Sequence, residues 1–181
     1  MMSEAITGLL NDHEAILTAL DVFSRMLDDQ KMSGEADAVE LGNFVGFLKE
    51  FADKCHHGKE EGILFPAMIA AGVPDRGGPI GAMMAEHIQG RGYIFEMDES
   101  LVEPMDFSRL EKNGRNYITL LRAHIQKENS VLFPMADRMI SASELEQMHV
   151  AFKEHEEKVI GHGRHEELHA MLADFHRKYP Q

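Results

Sequence analysis

The chain has no tryptophan, three tyrosines, six prolines and one cysteine, Cys55, among its 181 residues. A lone cysteine excludes an internal disulfide and fits a reducing compartment. No stretch is apolar for long enough to span a bilayer. The N-terminus carries acidic Glu4 and only a short apolar run where a signal peptide would need a basic and then a long apolar segment. The cytoplasm is therefore the expected location, with no membrane contact. Basic residues are few: 18 Lys and Arg stand against 31 Asp and Glu, a formal net charge of −13. Nucleic acid is not expected as a partner, because it needs a basic face. Strand-type alternation of apolar and polar residues is missing as well.

Eleven histidines and thirteen methionines stand out instead. Methionine commonly fills irregular helical cores. The histidines carry more information, since several fall on stripes that should be core. Apolar spacing is helical along nearly the whole chain. A first helix is expected after an N-cap at Ser3, with Ile6, Leu9, Leu10, His13, Ile16, Leu17, Leu20 and Phe23 on one stripe, ending before Gly34. A second runs from near Ala36 to Ala71, closed by the turn-rich segment 72–79. A third starts at or near Pro79, a favoured first helical position, and carries Ile80, Met83, Met84, His87, Arg91 and Ile94. A fourth spans about Asp106 to Ile140, with Tyr117, Leu120, Leu121, His124, Glu128, Val131 and Leu132 inward.

Pro66 and Pro134 lie inside the second and fourth helices at matching points, so a kink or local break is expected at each. Ser141 with Glu144, and Ser143 with Glu146, are two capping-box candidates for a fifth helix. Gly161-His162-Gly163 separates it from a short sixth helix carrying Leu168, Met171, Leu172 and Phe175. The predicted fold class is all-α: four long antiparallel helices in residues 1–140, and a two-helix appendage, 141–181, packed on them. The second helix also has a second apolar stripe, Phe44, Phe47, Phe51 and Cys55. It calls for cover by the last two helices or by a second copy in a homo-oligomer. Covered in either way, Cys55 would be inert.

Two segments repeat each other without a gap. His56-His57-Gly-Lys59-Glu60-Glu61-Gly-Ile-Leu-Phe-Pro66 aligns with His124-Ile-Gln-Lys127-Glu128-Asn-Ser-Val-Leu-Phe-Pro134. A glutamate four residues after a histidine shares its helix face, one turn on. His56 shares a face with Leu48, Ala52, Ile63 and Leu64, whereas His57 falls with Glu50, Asp53 and Lys54, which read as solvated. The repeat also selects His56 with Glu60 over His57 with Glu61. His13, His87 and His124 are each centred on their own apolar stripes.

Each of four helices thus brings one histidine to its buried stripe, and two add a glutamate. Burying two carboxylates and four imidazoles without a partner would be very costly. A pair of cations offsets that cost. Nitrogen and carboxylate donors suit iron, manganese or zinc, and not calcium or magnesium, which favour all-oxygen shells. Glu60 and Glu128 can each bridge two ions while the histidines cap the ends. His57, Glu61, His149, His155, His162, His165, His169 and His176 read as surface or interface residues. Among them His57 adjoins the site and could be a fifth histidine, with His165 a weaker candidate.

These residues resemble the hemerythrin-like, or HHE cation-binding, family. The resemblance is carried by Asp12-His13, the His-His-Gly-Lys-Glu-Glu…Leu-Phe-Pro block, Glu86-His87, and His124…Lys127-Glu128…Leu-Phe-Pro, spanning roughly residues 10 to 135. It implies an up-down-up-down bundle holding two non-haem iron ions with an oxo or hydroxo bridge, manganese or zinc being substitutes. The implied metal ligands are His13, His56, Glu60, His87, His124 and Glu128, and a further histidine would come from His57 or from a C-terminal residue. The chain departs from the oxygen-carrying members at Arg91, which stands where they have a second histidine on the third helix. That departure argues against simple reversible oxygen transport. An arginine there can instead pair with an anion or a carboxylate. The leading functional expectation is a di-iron protein that binds oxygen, nitric oxide or peroxide for sensing, storage or detoxification. The alternatives are a peroxidase- or oxidase-like enzyme, and an iron-storage or iron-responsive interaction module.

Overall fold

A computed structural model describes residues 2–180 as six helices, with no strand among the described residues. Helix α1 is Glu4–Ser33. Helix α2 covers 38–70, as two α-helical stretches, Ala38–Leu48 and Phe65–Ala70, flanking wide π-type turns at Lys49–His57 and Glu60–Leu64. Helix α3 is Pro79–Ser100. Helix α4 covers 107–139, with one π-type segment, Glu128–Leu132, between Phe107–Lys127 and Phe133–Met139. Helices α5 (Ala142–Val159) and α6 (Arg164–Lys178) complete the chain.

Local chemistry sets the ends. The Ser3 hydroxyl accepts from the Ile6 amide, and the Ser3 amide donates to Asp137 at 2.9 Å, fastening the start of α1 to the end of α4. Asp37 caps α2 through the amides of Val39 and Glu40. Of the two capping-box candidates before α5, Ser141 with Glu144 forms. Gly34, at φ 72°, ends α1 in the left-handed region that side chains avoid.

The expected breaks at Pro66 and Pro134 take the form of π-type turns. A proline offers no amide to the carbonyl four residues back, and its ring crowds that carbonyl. In both helices the phenylalanine before the proline donates instead to the carbonyl five residues earlier, Phe65 to Glu60 and Phe133 to Glu128. Such widened turns recur at functional sites. Here both begin at a glutamate of the repeat.

Apolar burial forms two separate cores. One holds Ile16, Leu20 and Phe23 of α1, Phe44, Phe47, Leu48, Phe51 and Ala52 of α2, Ile94 and Met97 of α3, and Tyr117 and Leu121 of α4. The other holds Ile6 and Leu9, Leu64 and Met68, Ile80 and Met83, and Leu132 and Phe133. Burying each such side chain contributes roughly 1.5–3 kcal/mol. Between the cores every one of these four helices carries buried polar residues: Asp12 and His13, His56 to Glu60, His87, and His124 with Glu128. The order in which a helix meets the two cores reverses from each helix to the next. Gly114 lets α1 and α4 approach, since a Cβ there would lie 2.9 Å from the Phe23 ring.

Helices α5 and α6 supply the cover that the second α2 stripe requires. Phe175 packs on Phe44, with ring centroids 4.9 Å apart, and His169 meets the edge of Phe51 at 5.2 Å. Cys55 is fully buried, and burial pushes its thiol up to about 12. No helix among the described residues is long and apolar enough to cross a membrane.

Candidate metal centre

The polar layer draws donor atoms from four helices to one place. His13 Nε2 and His124 Nε2 lie 3.2 and 3.1 Å from the same oxygen of Glu128. Glu60 faces His56 Nε2 with one oxygen, at 3.5 Å, and His87 Nε2 with the other, at 3.4 Å. Two groups result, each with donor atoms within 4.8 Å of one another: His13, His56, Glu60 and Glu128, and His57, Glu60, His87 and His124. Glu60 belongs to both groups, and Glu128 reaches a histidine of each. All seven side chains are buried.

The outer nitrogens of the rings fix what the inner ones can do. His56 Nδ1 meets Asp12 at 3.2 Å, His87 Nδ1 meets Glu61 at 2.7 Å, and His124 Nδ1 meets Glu86 at 2.9 Å. His13 Nδ1 meets the side-chain oxygen of Asn129 at 2.6 Å. Each partner is an acceptor, so each Nδ1 carries the proton and each Nε2 presents a lone pair. The inner surface is then acceptors facing acceptors. His87 Nε2 and His124 Nε2 stand 3.1 Å apart. The inner nitrogens of His13 and His56, and all four oxygens of Glu60 and Glu128, are enclosed without a hydrogen-bond donor. Such an array is unfavourable unless protons or cations enter it. A carboxylate or amide oxygen on the far ring nitrogen is also the usual support of a metal-bound histidine.

Protonation follows this arrangement. Burial lowers the affinity of His87 for a proton, but the carboxylates of Glu60 and Glu61 beside it outweigh that and carry it up to about 9. His13 is likewise raised against its burial, by Glu128. Glu128 lies far below the usual carboxylate range, since His124 and His13 outweigh its desolvation. Protons thus fill the role that a cation would fill. His57 behaves in the opposite way. Burial, with the neighbouring His87, His56 and His124, holds it well below the ordinary imidazole range, so it stays neutral with a free lone pair.

His57 and Glu61 correct the reading of their helix face as solvated. His57 is 3 % exposed and stacks on His87 with centroids 3.9 Å apart, and neither of its nitrogens has a hydrogen-bond partner. Glu61 is half-buried and accepts from His87 and from Arg91. Arg91 also donates to Asp53 at 2.7 Å, so it pairs with two carboxylates beside the layer. Asp53 thereby turns away from solvent, which is why it misleads as a marker of the outer face. One signal was available: the residue matching His57 in the repeat is Ile125, also buried. No sequence signal marks Asp12, Glu61, Glu86 and Asn129 as the partners of the outer nitrogens, except that Asp12 and Glu86 each precede a layer histidine. His162 and His169 are exposed, and His149, His155, His165 and His176 are half-buried near or within α5 and α6.

A family model described as the Hemerythrin HHE cation binding domain matches residues 4–136. No curated protein and no solved structure matches the chain.

Proposed function

The chain belongs to the hemerythrin HHE cation-binding family, and on that premise we propose that its buried layer holds two iron ions that bind a small molecule. The observation that carries this reading is the convergence of unpartnered acceptors: four histidines with their protons tied outward, and two glutamates with no donor inside. His13 and His56 would hold one ion, and His57, His87 and His124 the other, with Glu60 and Glu128 shared. His57 takes the place of the histidine that Arg91 replaces. The reversing order of the two cores supports an up-down-up-down bundle in residues 1–140, with 141–181 packed on it as an appendage.

The chain's own residues orient, neutralise and exclude water. Asp12, Glu61, Glu86 and Asn129 set the tautomer of each ring and aim its lone pair inward. Arg91 pairs with both Glu61 and Asp53 beside the layer. The two apolar cores seal it above and below. Imidazole and carboxylate donors fit iron, with manganese or zinc as substitutes. When bound, an iron pair supplies a redox-active centre for oxygen, nitric oxide or peroxide.

The test is metal analysis of protein from iron-supplied cells, followed by near-ultraviolet spectra with and without oxygen or azide. Two irons per chain and a band that responds to either ligand are expected. An iron-loaded sample with no such band would defeat the reading. A second reading, an iron-responsive interaction module, has one observation in its favour. Lys59 joins Asp12, the partner of His56, to Glu156 on α5 at 2.6 and 2.7 Å. Partner binding that ignored chelators would exclude it.

A further inference from the structure

A smaller cluster of donor atoms lies outside the layer. Cys55 on α2, Glu156 on α5 and His165 on α6 each offer one ligand atom, all within 4.8 Å of one another. None of the three belongs to the cation pair proposed above. His165 Nε2 is enclosed without a hydrogen-bond partner. It stands 3.9 Å from Glu156 Oε1 and 3.9 Å from Asp12 Oδ1, too far to donate to either. Donors sharing one tetrahedral cation at ordinary zinc bond lengths lie about 3.3–3.8 Å apart. The 3.9 Å between His165 and Glu156 is slightly wider than that range and too long for a direct hydrogen bond.

Charge and access agree. Asp12 and Glu156 are two carboxylates against the single ammonium of Lys59, which leaves one negative charge. A divalent cation bound through a Cys55 thiolate brings the sum to zero. A cleft of about 300 Å³, lined in part by Asp12, Lys59, Glu156, His165 and His169, reaches two of the three donors, while Cys55 is enclosed. The docking of α5 on α2 is close here, since a Cβ on Gly58 would come within 2.6 Å of His155 Nε2.

We infer that Cys55, Glu156 and His165 form a separate site for one divalent cation of the zinc type, which locks α5 and α6 onto α2. Mixed sulfur, nitrogen and oxygen donors select such an ion over calcium or magnesium. Binding exchanges the thiol proton of Cys55 for the metal–sulfur bond, and the proton is released to solvent.

The probe is cobalt(II) added to the full chain. Cys55 is the only cysteine, so a thiolate-to-cobalt charge-transfer band reports this site alone. The band is expected to saturate at one equivalent beyond the layer's own uptake. It should vanish in Cys55→Ser, with one fewer cation bound per chain in equilibrium dialysis. His165→Ala and Glu156→Gln should weaken it at least about tenfold; both residues are only half-buried, so they test the site even if Cys55→Ser fails to fold. The double variant Glu60→Gln, Glu128→Gln should keep the band while losing the layer's cations, which separates this inference from the proposed function. No band at saturating cobalt, a band indifferent to His165→Ala, or one lost with Glu60 and Glu128 would each overturn it.

Discussion

The segments 56–66 and 124–134 begin from the same residues and end in different surroundings. In both, a histidine and a glutamate one turn apart face the buried layer, and a Leu-Phe-Pro closes a π-type turn. In both, a carboxylate just before a histidine of the preceding helix holds the outer nitrogen and the lysine: Asp12 holds His56 and Lys59, Glu86 holds His124 and Lys127. Even the crossing contacts correspond, His13 to Asn129 and His87 to Glu61. The halves then diverge. Lys59 is 3 % exposed beneath α5, while the Lys127 side chain is 46 % exposed. His57 stands where Ile125 stands, and charged Glu61 where neutral Asn129 stands. The shared part is what a symmetric cation pair needs. The divergent part goes with contacts on the first half: Glu156 of α5 on Lys59, and Arg91 on Glu61.

The harshest way to break the symmetry is to remove its centre. Glu60→Gln with Glu128→Gln leaves the histidines in place but takes away both shared carboxylates. Cation binding at the layer should fall more than a hundredfold, since losing even a supporting residue of a metal site costs 10–100-fold. Each single variant should lower the affinity for both ions, because each glutamate faces both groups. Metal analysis after dialysis measures this. Loss of one ion only from a single variant would show that the carboxylate serves one group.

The two lysines separate what the repeat shares from what the appendage adds. Lys59→Met strands Asp12 and Glu156 in a buried setting, and removing one partner of a buried ion pair costs about 3–5 kcal/mol. Lys127→Met breaks an exposed pair with Glu86 and should cost about 0–1 kcal/mol. Denaturant unfolding of both variants reads the difference directly. Equal losses would mean that α5 contributes nothing to the environment of Lys59.

Much of this was legible because the repeat is written in side chains that chemistry constrains. His56, Glu60, His124 and Glu128 announce themselves by spacing, and His13 and His87 by standing in apolar stripes. What hid was whatever depends on a neighbour. Asp53 reads as solvent-facing until Arg91 draws it in, and it carried His57 with it to the wrong face. Glu61 and Asn129 reach across to another helix, and no intrahelical period records such a reach. Lys59 and Lys127 are the same letter in the same motif, and only the docking of α5 distinguishes them.

Acidity and alkalinity probe the layer with and without its cations. Without cations, His87 binds its proton more tightly folded than unfolded, its folded value lying near 9 against an ordinary 6.5. Its contribution to stability is therefore complete below about pH 6.5 and is lost as the pH rises toward 9. Asp12 is depressed well below its ordinary 3.8, so its contribution is present above that value and fades in acid. With cations bound, the alkaline loss should disappear, because His87 then needs no proton. Affinity should fall in acid, as protons compete for the same lone pairs. Thermal unfolding from pH 6 to 9, with and without chelator, compares the two states. An alkaline loss of equal size in both would mean that ions do not occupy the layer.

The smallest expected effect comes from making the halves alike at one position. His57→Ile copies Ile125 and replaces a buried, neutral imidazole with an apolar side chain of similar bulk. Fold stability without metal should change little or rise, since both nitrogens of His57 lack partners and their burial is unfavourable. Cation affinity should fall about tenfold, roughly 1.4 kcal/mol, and for one ion only, because His57 faces the group of His87 and His124 and not that of His13 and His56. A titration resolving the two binding steps would show one step weakened and the other unmoved. If neither step moves, His57 is no more than a packing residue, and Arg91 leaves its side of the layer one histidine short.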